Sequence, residues 1–382
     1  MTVVLDPTTT QQPTGTDVAP PARPRPPWLD VVALYGLCIA GALVLAAVLV
    51  MVTGGSWSDV FNALLDGSVR RPGRWGQTLG VAAPLLLVAV GTIVNAKAGL
   101  VNIGQEGQLL IGAAFATYVG VRVGGPGPFV LVALLAAGFV GGALWAGIAA
   151  VLRAWRKVPE VLTTLLLVTV AANAVGYGLK NGSLLLAPAA GRANRNQVSE
   201  QLATDARLPR VDLFGNEFPI SVLLASVAAA GVAVVLARTV PGFRLRMLGQ
   251  NARTAQRSGV PAARYAIVAM LVSGGFAGIA GAAMLAGGDF GNYQLVPGFS
   301  VGIGWTGRLV ALVAREKAVA AIVVAVVFAS LRTGSGFLAA TGVERRITDV
   351  VQALLVLALL VPPAVLYVRQ RRRALAATRD RT

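Results

Sequence analysis

The chain has 382 residues, 55% of them hydrophobic and only 13% charged, with a mean hydropathy of +0.71. A soluble domain is about 45–50% apolar and about 25% charged, so a soluble globular fold is excluded. The formal charge of +17 suggests nucleic acid, but the basic residues fall in short clusters between apolar runs, without the aromatic interleaving that stacks bases. That pattern fits positive-inside topology and attraction to anionic membrane lipids, and no nucleic-acid partner is expected. With no His, and a single Cys38 inside the first apolar run, neither an internal disulfide nor a Cys/His metal site can form.

The first residues, MTVVLDPTTTQQPTGTDVAPPARPRPP, are rich in Thr and Pro and have no basic segment before an apolar core. They do not read as a signal peptide, and residues 1–30 are expected to form a disordered cytoplasmic tail. Ten apolar runs follow, at 31–53, 77–95, 105–120, 128–152, 160–180, 219–237, 265–287, 300–314, 318–331 and 347–368. About 20 such residues span a bilayer core, so the third, eighth and ninth are short. The fold class is an all-α polytopic membrane protein of about ten transmembrane helices, with a transmembrane domain over 31–368 and a basic cytoplasmic tail over 369–382.

Charge orients the runs. The segment 238–264 carries six arginines and no acid, the tail after Tyr367 six arginines against one aspartate, and RAWRK at 153–157 adds three basic residues. The loop 181–218 is balanced, with four arginines and four acids. Placing the basic segments in the cytoplasm requires even numbers of crossings between them, and the count agrees, with both termini inside. Setting aside the first and sixth runs leaves two groups of four, 77–180 and 265–368, which start from opposite sides, as an inverted repeat does. In GGFAGIAGAAMLAGG (274–288), Gly278, Gly281 and Ala282 have the small-residue spacing of close helix packing.

Between the second and third runs lies NAKAGLVNIGQEGQ (95–108), a polar segment in an otherwise oily stretch. Gly99 and Gly104 permit a bend back into the membrane, where irregular backbone needs protein or water around it. Asn95, Asn102, Gln105, Glu106 and Gln108 are candidates for a translocation pathway or gate; the same residues can instead form a structural hydrogen-bond network. Glu106 also suits a helix N-terminus. Arg308, inside the eighth run, needs a counter-charge or a wet cavity; Glu106 is one possible partner and snorkelling to an interface is another.

The chain has no GxxxxGK[ST] loop, GxSxG elbow or HExxH motif, so neither enzyme chemistry nor an ATP site of its own is indicated. A transporter remains, or a membrane scaffold. In GFRLRMLGQNARTAQRSGVPAARY (242–265) a short helix is expected around Ala252–Arg257, with Gly259 as its C-cap and Pro261 just beyond. Such a basic helix either docks a soluble partner or merely sets topology.

Four stretches carry a resemblance: GLVNIGQEGQLLIGA (99–113), KVPEVLTTLLL (157–167), GFRLRMLGQNARTAQRSGV (242–260) and GFSVGIGWTGRLVALVARE (298–316). Together they resemble bacterial ABC-importer permease subunits of the simple sugar and nucleoside type, related to ribose and branched-chain amino-acid permeases. The resemblance runs from about 77 to 360 and implies a type II ABC importer-like fold with a pathway for a nucleoside or simple sugar. It implies that Asn251, Ala255, Arg257 and Gly259 form the coupling helix that engages an ABC ATPase. The chain itself would bind no cofactor, and ATP would be hydrolysed by that partner. A second permease subunit, making a heterodimer, and an extracytoplasmic substrate-binding lipoprotein are the other implied partners, in a bacterial inner membrane. Arg308 departs from the aliphatic residue usual in relatives, and REK (315–317) replaces their small polar turn, which weakens any expected ATPase contact there. The rival reading is an ion-gradient-driven secondary transporter of a small polar solute, which needs ionisable groups clustered at mid-membrane.

Overall fold

The computed structural model describes residues 27–52, 55–181, 184–187, 197–213, 215–300, 302–337 and short helical stretches between 349 and 368. The two terminal tails and most of the tenth apolar run lie outside the described residues.

Twelve helices are named here in chain order: α1 (Pro27–Val52), α2 (Trp57–Leu65), α3 (Arg74–Lys97), α4 (Gln105–Arg122), α5 (Gly127–Arg156) and α6 (Glu160–Gly178), then α7 (Ile220–Arg238), α8 (Val240–Gln250), α9 (Ala252–Arg257), α10 (Ala262–Gly287), α11 (Ile303–Val313) and α12 (Ala318–Gly334). A π-helical turn, 66–70, leads into α3. The apolar runs thus become helices to within a few residues. Among the described residues six helices, α3, α5, α6, α7, α10 and α12, are long and apolar enough to cross a membrane, and the bent pair α1–α2 makes a seventh if counted as one span. The short predicted runs differ for physical reasons. Gln105, Glu106 and Gln108 depress the apolarity of α4, and α11 has only 11 residues, about 16 Å of helix and half a bilayer core.

One feature lies outside the all-α expectation. An antiparallel hairpin pairs β1 (Arg210–Leu213) with β2 (Asn216–Pro219), Arg210 opposite Pro219 and Leu213 opposite Asn216. It caps the end of the bundle where α3 begins, since Gly73 donates its backbone N–H to Asn216 Oδ1 at 3.0 Å.

The core is built around α10, packed on α3, α4 and α5. Small residues make this possible. A Cβ at Gly278 would lie 2.0 Å from the Gly138 carbonyl oxygen on α5, and one at Gly281 would lie 2.2 Å from the Leu109 oxygen on α4. Ala282 fills the neighbouring space against Gly138. Such approach maximises van der Waals contact where no hydrophobic force drives helices together.

Candidate functional site

The segment 95–108 joins α3 to α4 inside the bundle. Helix α3 ends at Lys97, Gly99 turns the chain at φ +73, and α4 restarts at Gln105. Every polar side chain from Asn102 onward then finds partners. Asn102 and Gln108 form a reciprocal amide pair, Nδ2 to Oε1 at 2.9 Å and Nε2 to Oδ1 at 3.0 Å. Asn102 Oδ1 also accepts the Gly104 N–H at 3.0 Å, and its Nδ2 donates to Ser273 Oγ of α10 at 3.1 Å. Gln105 accepts from Thr92 Oγ1 at 2.9 Å and donates to the Val88 carbonyl at 3.2 Å. Thr164 of α6 accepts the Ile103 N–H at 3.2 Å. Backbone freed by the bend is therefore satisfied inside the protein, as it must be at membrane depth.

Glu106 is 7% exposed, in the first turn of α4. Its carboxylate accepts from Ser300 Oγ at 2.5 Å, from Gly302 N–H at 2.9 Å and from Gly304 N–H at 2.7 Å. Gly302 and Gly304 lie at the N-terminus of α11, so the carboxylate meets otherwise orphaned N–H groups and the positive end of that helix. Glu106 is thus held between two helix starts. A Cβ at Gly304 would lie 2.4 Å from the Glu106 nitrogen, and only glycine lets the two ends meet.

The suggested Glu106–Arg308 pair does not form. With three strong donors already on Glu106, its charge is compensated by α11 itself. Arg308 has no ion pair among the described residues, and its Nη1 reaches only the Asn102 carbonyl oxygen at 3.5 Å. Beside it, Asn95 is 1% exposed, and neither of its amide atoms meets a partner among the described residues. Both residues border a cavity of about 300 Å³, together with Thr92, Gly99, Asn102, Leu312 and Glu316, although the Asn95 amide atoms are themselves covered. Glu316, in the REK turn, is held by Lys97 at 2.8 Å. The six candidates thus divide, with Gln105, Glu106 and Gln108 fully matched, Asn95 and Arg308 bordering the cavity, and Asn102 touching both.

At the same end of the bundle, the basic segment folds as α8 and α9. Asn251 caps α9, its Oδ1 accepting from the Arg253 and Thr254 N–H groups at 3.0 and 3.1 Å. Gly259, at φ +80, closes the other end, with Gly259 N–H on Gln256 O and Val260 N–H on Ala255 O, both at 3.0 Å. This is a Schellman motif, which a left-handed glycine supplies without strain. Ala255 is fully buried against Leu248 and Val260. Of the four expected residues, then, Asn251 and Gly259 shape α9, Ala255 seats it, and Arg257 presents an exposed side chain. Sequence reasoning overlooked Arg253 and Gln256, also exposed on this helix; their spacing from Arg257 on a single turn is the signal that marks them. Helix α8 carries this unit to the bend, because a Cβ at Gly249 would lie 2.4 Å from the Lys97 oxygen and one at Gly99 would lie 3.0 Å from Gly249 Cα.

At the opposite end, Arg210 donates to the Gly287 carbonyl at 2.6 Å and to Asp289 at 2.8 Å. Burial disfavours the Arg210 charge, but the Asp289 carboxylate, together with Tyr293 and Glu217, outweighs this and holds Arg210 above its ordinary pKa. Burial, helped by the nearby Glu217 charge, also pushes Asp289 above the ordinary carboxylate value against the opposing pull of Arg210.

A family model described as branched-chain amino acid transport system / permease component matches residues 75–360. The chain belongs to this permease family. It is 31% identical to a glucose ABC transporter permease protein of Haloferax volcanii, over 89% of this chain and 90% of that protein. A guanosine ABC transporter permease protein of Bacillus subtilis is 29% identical, over 84% of this chain and 90% of that protein. A second guanosine permease protein of the same organism is 29% identical over 53% of this chain and 64% of its own length. The chain is accordingly a multi-pass permease subunit of an ABC transporter and not itself an enzyme, and the gradient-driven reading gives way.

Proposed function

We propose that this chain forms half of the translocation pathway of an ABC importer for a nucleoside or simple sugar, in a bacterial inner membrane. The guanosine and glucose names among its relatives support that solute class. Resemblance to two different guanosine permeases of one organism supports pairing with a second, non-identical permease. An extracytoplasmic lipoprotein delivers the solute at the end carrying the hairpin and Asp289. A separate ATPase binds α9 at the other end, where the basic segments lie, and both tails are cytoplasmic. In this reading about ten segments cross or enter the membrane, α4 and α11 among them, and the groups 77–180 and 265–368 form an inverted repeat.

The observation that carries this reading is the mechanical continuity from α9 to the bend. Helix α9 is capped at both ends and presents Arg253, Gln256 and Arg257 outward, while Gly249, one turn upstream, lies backbone to backbone on Gly99. A shift of α9 on ATP binding therefore reaches the 95–108 segment without passing through flexible side chains. Beneath α9 a cavity of about 400 Å³, lined by small residues such as Gly99, Ala150, Gly249, Ala252 and Ala266, leaves room for that shift. The permease contributes no bond chemistry; it supplies two states of different stability that the ATPase and the solute bias.

The test is recovery of this chain from its native membrane in mild detergent, with partners identified by mass spectrometry. An ATPase, a different permease and a lipoprotein are expected, and Arg253→Glu with Arg257→Glu should remove the ATPase alone. Recovery of the ATPase in full by that double variant would contradict docking through α9, and isolation of the chain without any ATPase would contradict the assembly.

A further inference from the structure

Among the described residues, Arg308 is a charge without a counterpart. It is half-buried on α11, and its single acceptor, the Asn102 carbonyl, stands at the outer limit of a hydrogen bond, 3.5 Å. The acids on either side are taken, Glu106 by the start of α11 and Glu316 by Lys97. Asn95 borders the same cavity, and among the described residues its covered amide has an unmatched donor and an unmatched acceptor, its exposure being 1%. Buried amides are nearly always matched, and a guanidinium in a membrane bundle is costly unless an anion or a wet cavity meets it.

The chemistry of the two side chains selects a ligand. A guanidinium presents a planar fork of N–H donors that fits two oxygens of a carboxylate or phosphate. An amide beside it pairs with a group that both donates and accepts, such as a hydroxyl. A volume of about 300 Å³ lies at the small end of ligand sites, room for one sugar-sized unit. We propose that this cavity is a binding site for an anionic polyhydroxy solute, its carboxylate or phosphate on Arg308 and a hydroxyl on the Asn95 amide, which turns toward the cavity to take it. The inference rests on the pathway reading above and narrows it, since the imported sugar or nucleoside is then an acidic derivative.

The experiment uses the complete transporter, reconstituted in nanodiscs of neutral phosphatidylcholine, with matched probes: glucuronate against glucose, and guanosine monophosphate against guanosine. The melting temperature of the complex is the readout. At least one acid should raise it by several degrees while its neutral partner does not. Arg308→Gln should lose the shift, Arg308→Lys retain part of it, and Asn95→Leu weaken it. The carboxylate and phosphate arms show which oxyanion is preferred. Equal shifts from the acid and its neutral partner, both lost in Asn95→Leu, would overturn the anionic inference and leave the pathway reading standing. No shift with any probe, together with undiminished uptake by Asn95→Leu, would overturn both. Release of the second permease by Arg308→Gln, seen in native mass spectrometry, would assign the counter-charge to that subunit and overturn the proposal. So would a shift reproduced by phosphatidylglycerol alone, which would make a lipid phosphate the occupant.

Discussion

Asn95 and Asn102 lie in one segment, both almost fully buried, at 1% and 3% exposure, yet their surroundings are opposite. Each polar atom of the Asn102 side chain has two partners, drawn from the bend itself and from Gln108 and Ser273. Asn95 has none among the described residues, and borders a cavity together with Arg308. Burial alone therefore does not mark a functional amide. A matched amide holds two helices and a bend in one arrangement, whereas an unmatched one is costly to the fold and needs something else to account for it.

Substitutions can break this contrast in order of size. Glu106→Ala should have the largest effect, about 3–5 kcal/mol, because it strips a charge from the α11 N-terminus and leaves Ser300, Gly302 and Gly304 unmatched in the interior. Thermal unfolding of the purified chain or complex would show it, and a loss under about 1 kcal/mol would mean the carboxylate does not seal the junction. Gln108→Leu should cost about 1–3 kcal/mol, since Asn102 loses a donor and an acceptor at once. Gly259→Ala should cost roughly 1 kcal/mol through its positive φ. It should also lower solute-stimulated ATP hydrolysis more than it lowers the melting temperature, separating coupling from folding.

The smallest effect concerns Asp289 at the far end. Its folded pKa lies above the ordinary 3.8, so its contribution to stability is present below that value and is lost as pH rises through the raised one. The melting temperature should fall slightly across that window, and Asp289→Asn should flatten the slope with less than about 1 kcal/mol of change at neutral pH. A slope of the opposite sign would show that the attraction of Arg210 prevails over burial.

Much of the fold was legible because apolar runs must become helices in a bilayer, and α3 to α7, α10 and α12 follow the runs closely. The glycines of α10 and the C-cap of α9 were readable for the same local reason, since Gly278 and Gly259 act on their own helix or on the neighbour's backbone, whereas the N-cap role of Asn251 emerged only from the structure. The division of the 95–108 segment was not readable. Its outcome depends on Ser273, Thr164 and Ser300, each brought in from a distant helix or loop, and on the α11 N-terminus arriving at Glu106. The hairpin 210–219 escaped notice because its strands are only four residues each, with Gly215 in a left-handed turn between them.

The most direct test of this account sets Asn95→Leu beside Gln108→Leu in the complete transporter, with melting temperature and solute uptake measured on both. Leucine for the unmatched amide removes a buried polar group of similar shape, so Asn95→Leu should keep or raise the melting temperature and still reduce uptake at least tenfold. Gln108→Leu should lower the melting temperature, and its uptake should fall only as far as the amount of folded transporter. If Asn95→Leu transports normally, or loses stability as Gln108→Leu does, the cavity is not part of the pathway and the contrast between the two amides has no functional meaning.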